Sequence, residues 1–222
     1  MKKNMLKDRI CETQCGIQGD INVHMYDKMQ CRLKNKGWID TDNIIKAGIN
    51  KGIALEIGPG PGYLGLEWLK KTSNTRLKAI EISNDMIKIA EKNAKKYELS
   101  NRVSYIQGDS QSLPFEDHTF DAVFSNGSLH EWVNPDNIFN EIFRVLKKEG
   151  TLFISDLKRD LSFFARWFLH LAAKPKEMRP GLITSLNAAY TQKEVEMILK
   201  KTNFINFSVK SNPIGVSIIC VK

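Results

Sequence analysis

Five short apolar runs alternate with helix-length stretches between residues 51 and 157, and no other feature restricts the fold as strongly. The first run, 53-IALEI-57, is bounded by glycines and suits a strand buried on both faces. The pattern then predicts a helix over 62–72, a strand over 76–82, and a helix over 84–97 capped by Ser83. A strand over 102–107 follows, and a loop, 108-GDSQSLPFED-117, leads to a strand over 120–125. A helix near 135–147 and a strand over 151–157 complete the series. Such alternation with short links implies a parallel sheet covered by helices on both faces.

The flanks differ. Residues 1–20 are polar, and 21–36 and 40–50 read as two short helices, with Asp40 or Thr41 placed to cap the second. An aromatic helix over 160–172 precedes a loop holding Pro175, Pro180 and Gly181, and then a helix over 191–202. Only Ser211, Asn212 and Pro213 separate the last two strands, 204–210 and 214–221. So short a link permits a hairpin and no crossover helix, which makes that pair antiparallel. The expected fold is therefore α/β: a Rossmann-like, doubly wound, seven-stranded sheet with an antiparallel C-terminal hairpin and a helical N-terminal cap. The expected division is a cap over 1–50 and a main domain over 51–222.

A chain of 222 residues suits one sizeable domain with an appendage and can bury a full core without staples. The net charge of +8 points to acidic partners, but Lys92, Lys95, Lys96, Lys147 and Lys148 recur within helical stretches and also read as solvated faces. Cys11, Cys15, Cys31 and Cys220 form no C-x-x-C pair, and no histidine lies at zinc-like spacing from Cys11 or Cys15. Reduced thiols and no metal are expected. The N-terminal stretch lacks a signal-peptide core, and the longest apolar run, 161-LSFFARWFLHLAA-173, is too short to span a bilayer and contains Arg166. A cytoplasmic location is the expectation.

The glycine turn 55-LEIGPGPGYLG-65 bears on the ligand. Gly60, Gly62 and Gly65 satisfy the G-x-G-x-x-G dinucleotide spacing, and Gly58, Gly60 and Gly62 let backbone approach a ligand closely. The succession 55-LEIGPGPG-62, 79-AIEIS-83, 108-GDSQSLPF-115, 120-FDAVFSNGSLHEW-132 and 143-FRVLKKEGTLFISD-156 resembles class I S-adenosylmethionine-dependent methyltransferases. Within them it is most similar to the small-molecule group of ubiquinone/menaquinone-biosynthesis type (methyltransferase type 11). The resemblance covers residues 53–156 in order, and the C-terminal hairpin agrees with it. Glu81, ending the second strand, can accept both ribose hydroxyls of either ligand. Glu56 discriminates: S-adenosylmethionine carries an ammonium and a sulfonium, whereas a carboxylate beside a pyrophosphate would repel it.

The resemblance implies S-adenosylmethionine as cofactor, S-adenosylhomocysteine as product and a small-molecule acceptor, hydrophobic or aromatic acceptors included. Cofactor contacts are then expected from Glu56, Gly58, Pro59, Gly60 and Gly62 at the turn, and from Glu81 at the ribose. Asp109 would accept from the adenine amino group, beside Ser110 and Gln111, and Ser125 and Asn126 would meet the methionine moiety. Ile82, Met86 and Leu129 read as apolar walls or equally as core. Tyr26 either closes over the sulfonium, where an aromatic face attracts a cation, or is buried by helix packing.

Methyl transfer is an in-line displacement from an activated leaving group, so the acceptor needs one weak base or none. His130 is the foremost candidate, with loop orientation or helix capping as its other reading; Glu131 and Asp156 come second. His24 and His170 belong to the lid or its packing. In this family the N-terminal segment and an insert near 157–190 cover the acceptor. In that insert Phe164, Trp167, Phe168 and Leu171 share one helix face, flanked by Arg159, Arg166, Lys174 and Lys176. Core packing, an acceptor pocket, a dimer contact or a helix resting on anionic membrane each fit that stripe. Monomer and homodimer both stay open. Against a nucleic-acid acceptor, 125-SNGS-128 lacks the Asn/Asp-Pro-Pro-aromatic signature, and no Pro-Cys dipeptide supplies a cytosine nucleophile. RNA or protein methylation, and cofactor binding without catalysis, remain the alternatives.

Overall fold

The computed structural model describes residues 8–12 and 16–222. Cys15, and with it the Cys11–Cys15 pair considered for metal or redox chemistry, lies outside the described residues, as do residues 1–7 of the polar N-terminal stretch.

Helices α1 (Asp20–Asn35) and α2 (Thr41–Lys46) precede the alternation β1 (Ile53–Ile57), α3 (Tyr63–Lys71), β2 (Arg76–Glu81), α4 (Asn84–Lys96) and β3 (Val103–Gln107). It continues through β4 (Phe120–Asn126), α5 (Pro135–Val145) and β5 (Leu146–Leu157). Helices α6 (Phe163–Ala172), α7 (Arg179–Ala188) and α8 (Gln192–Leu199) lead to β6 (Asn206–Ser211) and β7 (Gly215–Val221). The seven strands lie in the order β3-β2-β1-β4-β5-β7-β6. Strands β1 to β5 pair in parallel, and β7 inserts antiparallel between β5 and β6. The hairpin turns on Asn212, whose Oδ1 accepts from Ile214 N (2.9 Å) and Gly215 N (2.8 Å).

Two expectations are corrected. Strand β5 starts at Leu146 rather than 151, because the buried Leu146 already pairs with Phe120 before a register shift resumes pairing at Thr151. The expected loop around Pro180 and Gly181 is helix α7, with Pro180 in the first turn, where its missing N–H breaks no helical bond. Asp40 does stand before α2, yet its carboxylate takes Asn43 Nδ2 (2.6 Å) and Asn126 Nδ2 (3.1 Å) rather than helix backbone.

The core divides across the sheet. Leu55 and Ile57 of β1 pack with α5 and α8, through Ile138, Phe139, Ile142, Val195 and Leu199. Ala54 packs with Ile44 of α2 and with Leu64, Trp68 and Leu69 of α3. Trp68 is fully buried and its Nε1 donates to Ile49 O at 2.7 Å, so its one polar atom is satisfied. Helix α6 contributes no buried residue, which removes core packing from the readings of its aromatic stripe.

At the β1–α3 junction Gly62 adopts φ +82°, a left-handed conformation that L side chains resist, and it starts the helix. One turn on, a Cβ at Gly65 would run into Glu56 Oε2 and Leu77 Cδ2, so helix and sheet touch there. Gly65→Ala is expected to destabilise the fold by about 1–3 kcal/mol through overpacking. Urea denaturation checks this; an unchanged midpoint would show that α3 can lift off the sheet without cost.

Candidate active site

At the carboxyl ends of β1, β2 and β3, where open α/β sheets bind ligands, lies a cavity of about 320 Å³. Gly58, Gly60, Glu81, Ile82, Met86, Asp109, Ser110, Gln111 and Tyr26, all singled out from the sequence, line it. Glu81 ties the wall together: Oε2 accepts from Gly60 N and Oε1 from Ser83 N, both at 3.0 Å. Burial pushes its carboxyl up, against the pull of those N–H groups. Ser83 caps α4, its Oγ accepting from Met86 N (3.3 Å), while it donates to Ile17 O (2.7 Å). Asp109 accepts from the backbone N (2.9 Å) and Nε2 (3.1 Å) of Gln111. Tyr26, reached from α1, accepts from Gln30 Nε2 at 2.8 Å, and burial raises its phenol pKa.

A second cavity of similar volume adjoins the first, lined by Ile10, Cys11, Glu12, Thr184 and Asn187, and it shares Gly16, Ile17 and Glu131 with its neighbour. Its cover is the N-terminal segment. Arg9 Nε donates to Ala188 O (2.6 Å) and Nη2 to His130 O (2.8 Å), and its guanidinium stacks 4.1 Å over the Tyr190 ring. The sequence offered no signal for these contacts beyond the basic and acidic side chains themselves.

His130 sits at the base of this arrangement, in the short 3₁₀ turn Leu129–Glu131. Its Nδ1 lies 2.9 Å and 3.0 Å from the Asp156 oxygens, its backbone N donates to Asp156 Oδ2 (2.8 Å), and its Nε2 faces Glu12 Oε2 at 3.3 Å. Burial opposes a charged ring, but the Asp156 charge and the bonds to Asp156 and Glu12 outweigh it and raise the imidazole well above its usual pKa. An imidazolium paired on both nitrogens has no free lone pair, and His130 lines neither cavity. Glu131 beside it lines both. Burial, offset by His130 and reinforced by Glu12, Glu81 and Asp156, pushes the Glu131 carboxyl up to about 7. Glu12, His130 and Glu131 also bring polar atoms within 4.8 Å of one another, but His130 paired on both nitrogens offers a cation no lone pair.

A family profile described as "Methyltransferase domain" matches residues 55–154. An uncharacterised protein of Methanocaldococcus jannaschii is 32% identical over 177 residues, 76% of either chain. A structure from Methanococcus maripaludis, solved as a candidate S-adenosyl-L-methionine-dependent methyltransferase, superposes with a TM-score of 0.74 at 26% identity and covers 93% of this chain and 97% of its own. The chain belongs to the class I S-adenosylmethionine-dependent methyltransferases. The ubiquinone/menaquinone biosynthesis C-methyltransferase of Blochmanniella pennsylvanica is 33% identical over 105 residues, 47% of this chain. The chain spans 41% and 45% of the lengths of the first two curated relatives it matches.

Several residues expected at the cofactor do not line the first cavity. Pro59 and Gly62 shape the turn from outside the cavity lining, and Leu129 belongs to the core. Asn126 turns toward α2, donating to Asp40 Oδ2 (3.1 Å) and Ser155 Oγ (2.7 Å), while Ser125 Oγ donates to Ile57 O (2.7 Å). Glu56 requires the largest correction. Leu55 and Ile57 face α5, so Glu56 faces α3, fully buried, and does not line the cavity. Its carboxyl therefore forms no part of the wall of the first cavity. Conversely, Gly16 and Ile17 line the first cavity unannounced by any motif, and Ser128 and Trp132 line it although the motif that contains them did not single them out.

Glu56 Oε2 has no hydrogen-bond partner among the described residues, and burial, with Glu81 adding to it against the Gly65 N–H, pushes the carboxyl up to about 8. A raised carboxyl pKa favours the neutral, folded form. Its contribution is fully present below the usual value of 4.5 and is lost as pH rises toward about 8. Each tenfold difference in proton affinity between the folded and unfolded chain is worth about 1.4 kcal/mol. Between pH 5 and 8 the melting temperature of the parent should therefore fall relative to that of Glu56→Gln. Parallel curves would show that the folded protein holds Glu56 charged at neutral pH.

Proposed function

We propose that this methyltransferase binds S-adenosylmethionine in the first cavity and transfers its methyl group to a small-molecule acceptor in the second, with Glu131 as the base between them. The carrying observation is the wall of Gly16, Ile17 and Glu131 common to both cavities. On this reading Glu81 takes the ribose hydroxyls, Asp109 with Ser110 and Gln111 takes the adenine edge, and Ile82 and Met86 flank the rings. Gly58 and Gly60 let backbone approach the methionine part, and the face of Tyr26 meets the sulfonium. The cofactor carries the activated methyl; the chain supplies alignment, exclusion of water and a proton acceptor.

Glu131 suits the last role because a carboxyl with a pKa near 7 is partly ionised at neutral pH and its ionised fraction can take up a proton there. His130 acts as a positioning residue, holding Glu12 and the turn that carries Glu131. Two carboxylates beside Ile10 and Ile17 favour an acceptor whose reacting atom is an amine or hydroxyl on a compact, partly apolar body. On this reading the aromatic stripe on α6, which lines neither cavity, is not the acceptor pocket. A cytoplasmic location, no nucleic-acid partner, and a monomer or homodimer complete the reading.

Calorimetry should give S-adenosylhomocysteine binding and no comparable binding of NAD. Glu81→Ala should weaken the former by about 1–3 kcal/mol by leaving ligand hydroxyls unpaired. Micromolar NAD binding without a response to S-adenosylhomocysteine would end the proposal. Incubation with isotopically methyl-labelled S-adenosylmethionine and a metabolite extract reports the acceptor. Glu131→Gln should cut that labelling by about a hundredfold or more while S-adenosylhomocysteine affinity stays near the parent value. Undiminished labelling would remove Glu131 as base.

A further inference from the structure

Helix α6 carries its apolar face outward. At 3.6 residues per turn, Phe163, Trp167, Leu171, Phe164 and Phe168 fall within one arc of about 140°. They are 77%, 57%, 44%, 77% and 50% exposed. The less exposed Ala165, Leu169 and Ala172 occupy the other side. Across the gap to the segment after α1 the patch continues onto Trp38, 51% exposed, whose ring centroid lies 6.4 Å from that of Phe168. Single exposed apolar residues are ordinary on a protein surface, but a contiguous aromatic face marks a surface that something covers.

The surrounding charge identifies the cover. Helix α6 contains Arg166 and no acidic residue; Lys174 and Lys176 follow it, exposed, and Lys36 Nζ stands 4.3 Å over the Trp38 ring. A second copy docked face to face about a two-fold axis would set one basic-flanked face against another, on a chain already at +8. An anionic lipid surface complements them, and phenylalanine, tryptophan and leucine between basic flanks suit a helix lying in the membrane interface. No helix among the described residues is long and apolar enough to cross a membrane, so the contact would be peripheral. We propose that the α6 face, extended by Trp38, docks the enzyme on anionic membrane. This goes beyond the catalytic reading and does not depend on it, since none of the patch residues lines either cavity.

The test is co-sedimentation of the full chain with vesicles of phosphatidylcholine alone and of phosphatidylcholine with phosphatidylglycerol, at low and high salt. Binding should be at least about tenfold stronger to the anionic vesicles and weaken with salt. Phe164→Ser with Trp167→Ser should abolish it while S-adenosylhomocysteine affinity and melting temperature stay at parent values, because both side chains are exposed. Tryptophan emission should shift to the blue on vesicle binding and lose most of that shift in the variant. Absence of vesicle binding, equal binding to neutral vesicles, or binding unchanged in the variant would overturn the proposal. Concentration-dependent dimerisation that the variant abolishes, without vesicle binding, would assign the face to a second copy instead.

Discussion

The Glu81 carboxylate is the interaction on which the site depends. It ends β2 and holds two N–H groups from two different turns, Gly60 of the β1–α3 turn and Ser83 at the start of α4. Those turns form adjacent walls of the first cavity, so one buried side chain sets their separation. Its desolvation is offset in part by the two N–H groups, which are aimed at it before any ligand arrives. Ser83 then passes the constraint outward by donating to Ile17 O, and the N-terminal segment is drawn over the cleft.

That segment turns an open crevice into two joined chambers. Arg9 attaches it to carbonyls of the 3₁₀ turn and the end of α7, and Glu12 meets His130 from the same strip of chain. The series Glu12–His130–Asp156 places one cation between two anions, so loss of His130 would leave two facing carboxylates without their cation. Such a series holds geometry better than it exchanges protons. The neighbouring Glu131 is the group left near neutrality, and the charges that lock His130 are among those that raise it.

Two parts of the chain depart from what folding alone would choose. Glu56 is buried beneath α3 with one oxygen unpartnered, and α6 presents five large apolar side chains to solvent. The first sits under the glycine turn that forms one cavity wall; the second sits at the periphery, away from both cavities. Departures from local rules that cost stability tend to gather where a protein works, and these two bracket the site from inside and outside.

The amino-acid sequence by itself determined the alternation of strands and helices, the glycine turn, the Ser83 cap and the antiparallel hairpin. These rest on local periodicity, on φ-permissive glycines and on links too short for a crossover. It also brought Glu81 and Asp109 within reach of assignment, because strand ends in a parallel sheet converge on one edge. Tertiary structure alone decided which face of β1 carries Glu56, since alternation says that Leu55 and Glu56 oppose each other but not which helix covers which side. It alone paired Glu12 with His130, and it alone showed that α6 faces outward: an amphipathic stripe looks the same from the sequence whether it meets a core, a ligand or a membrane. Contacts between residues far apart in the chain depend on the packing of whole elements, and no short window of sequence contains that information.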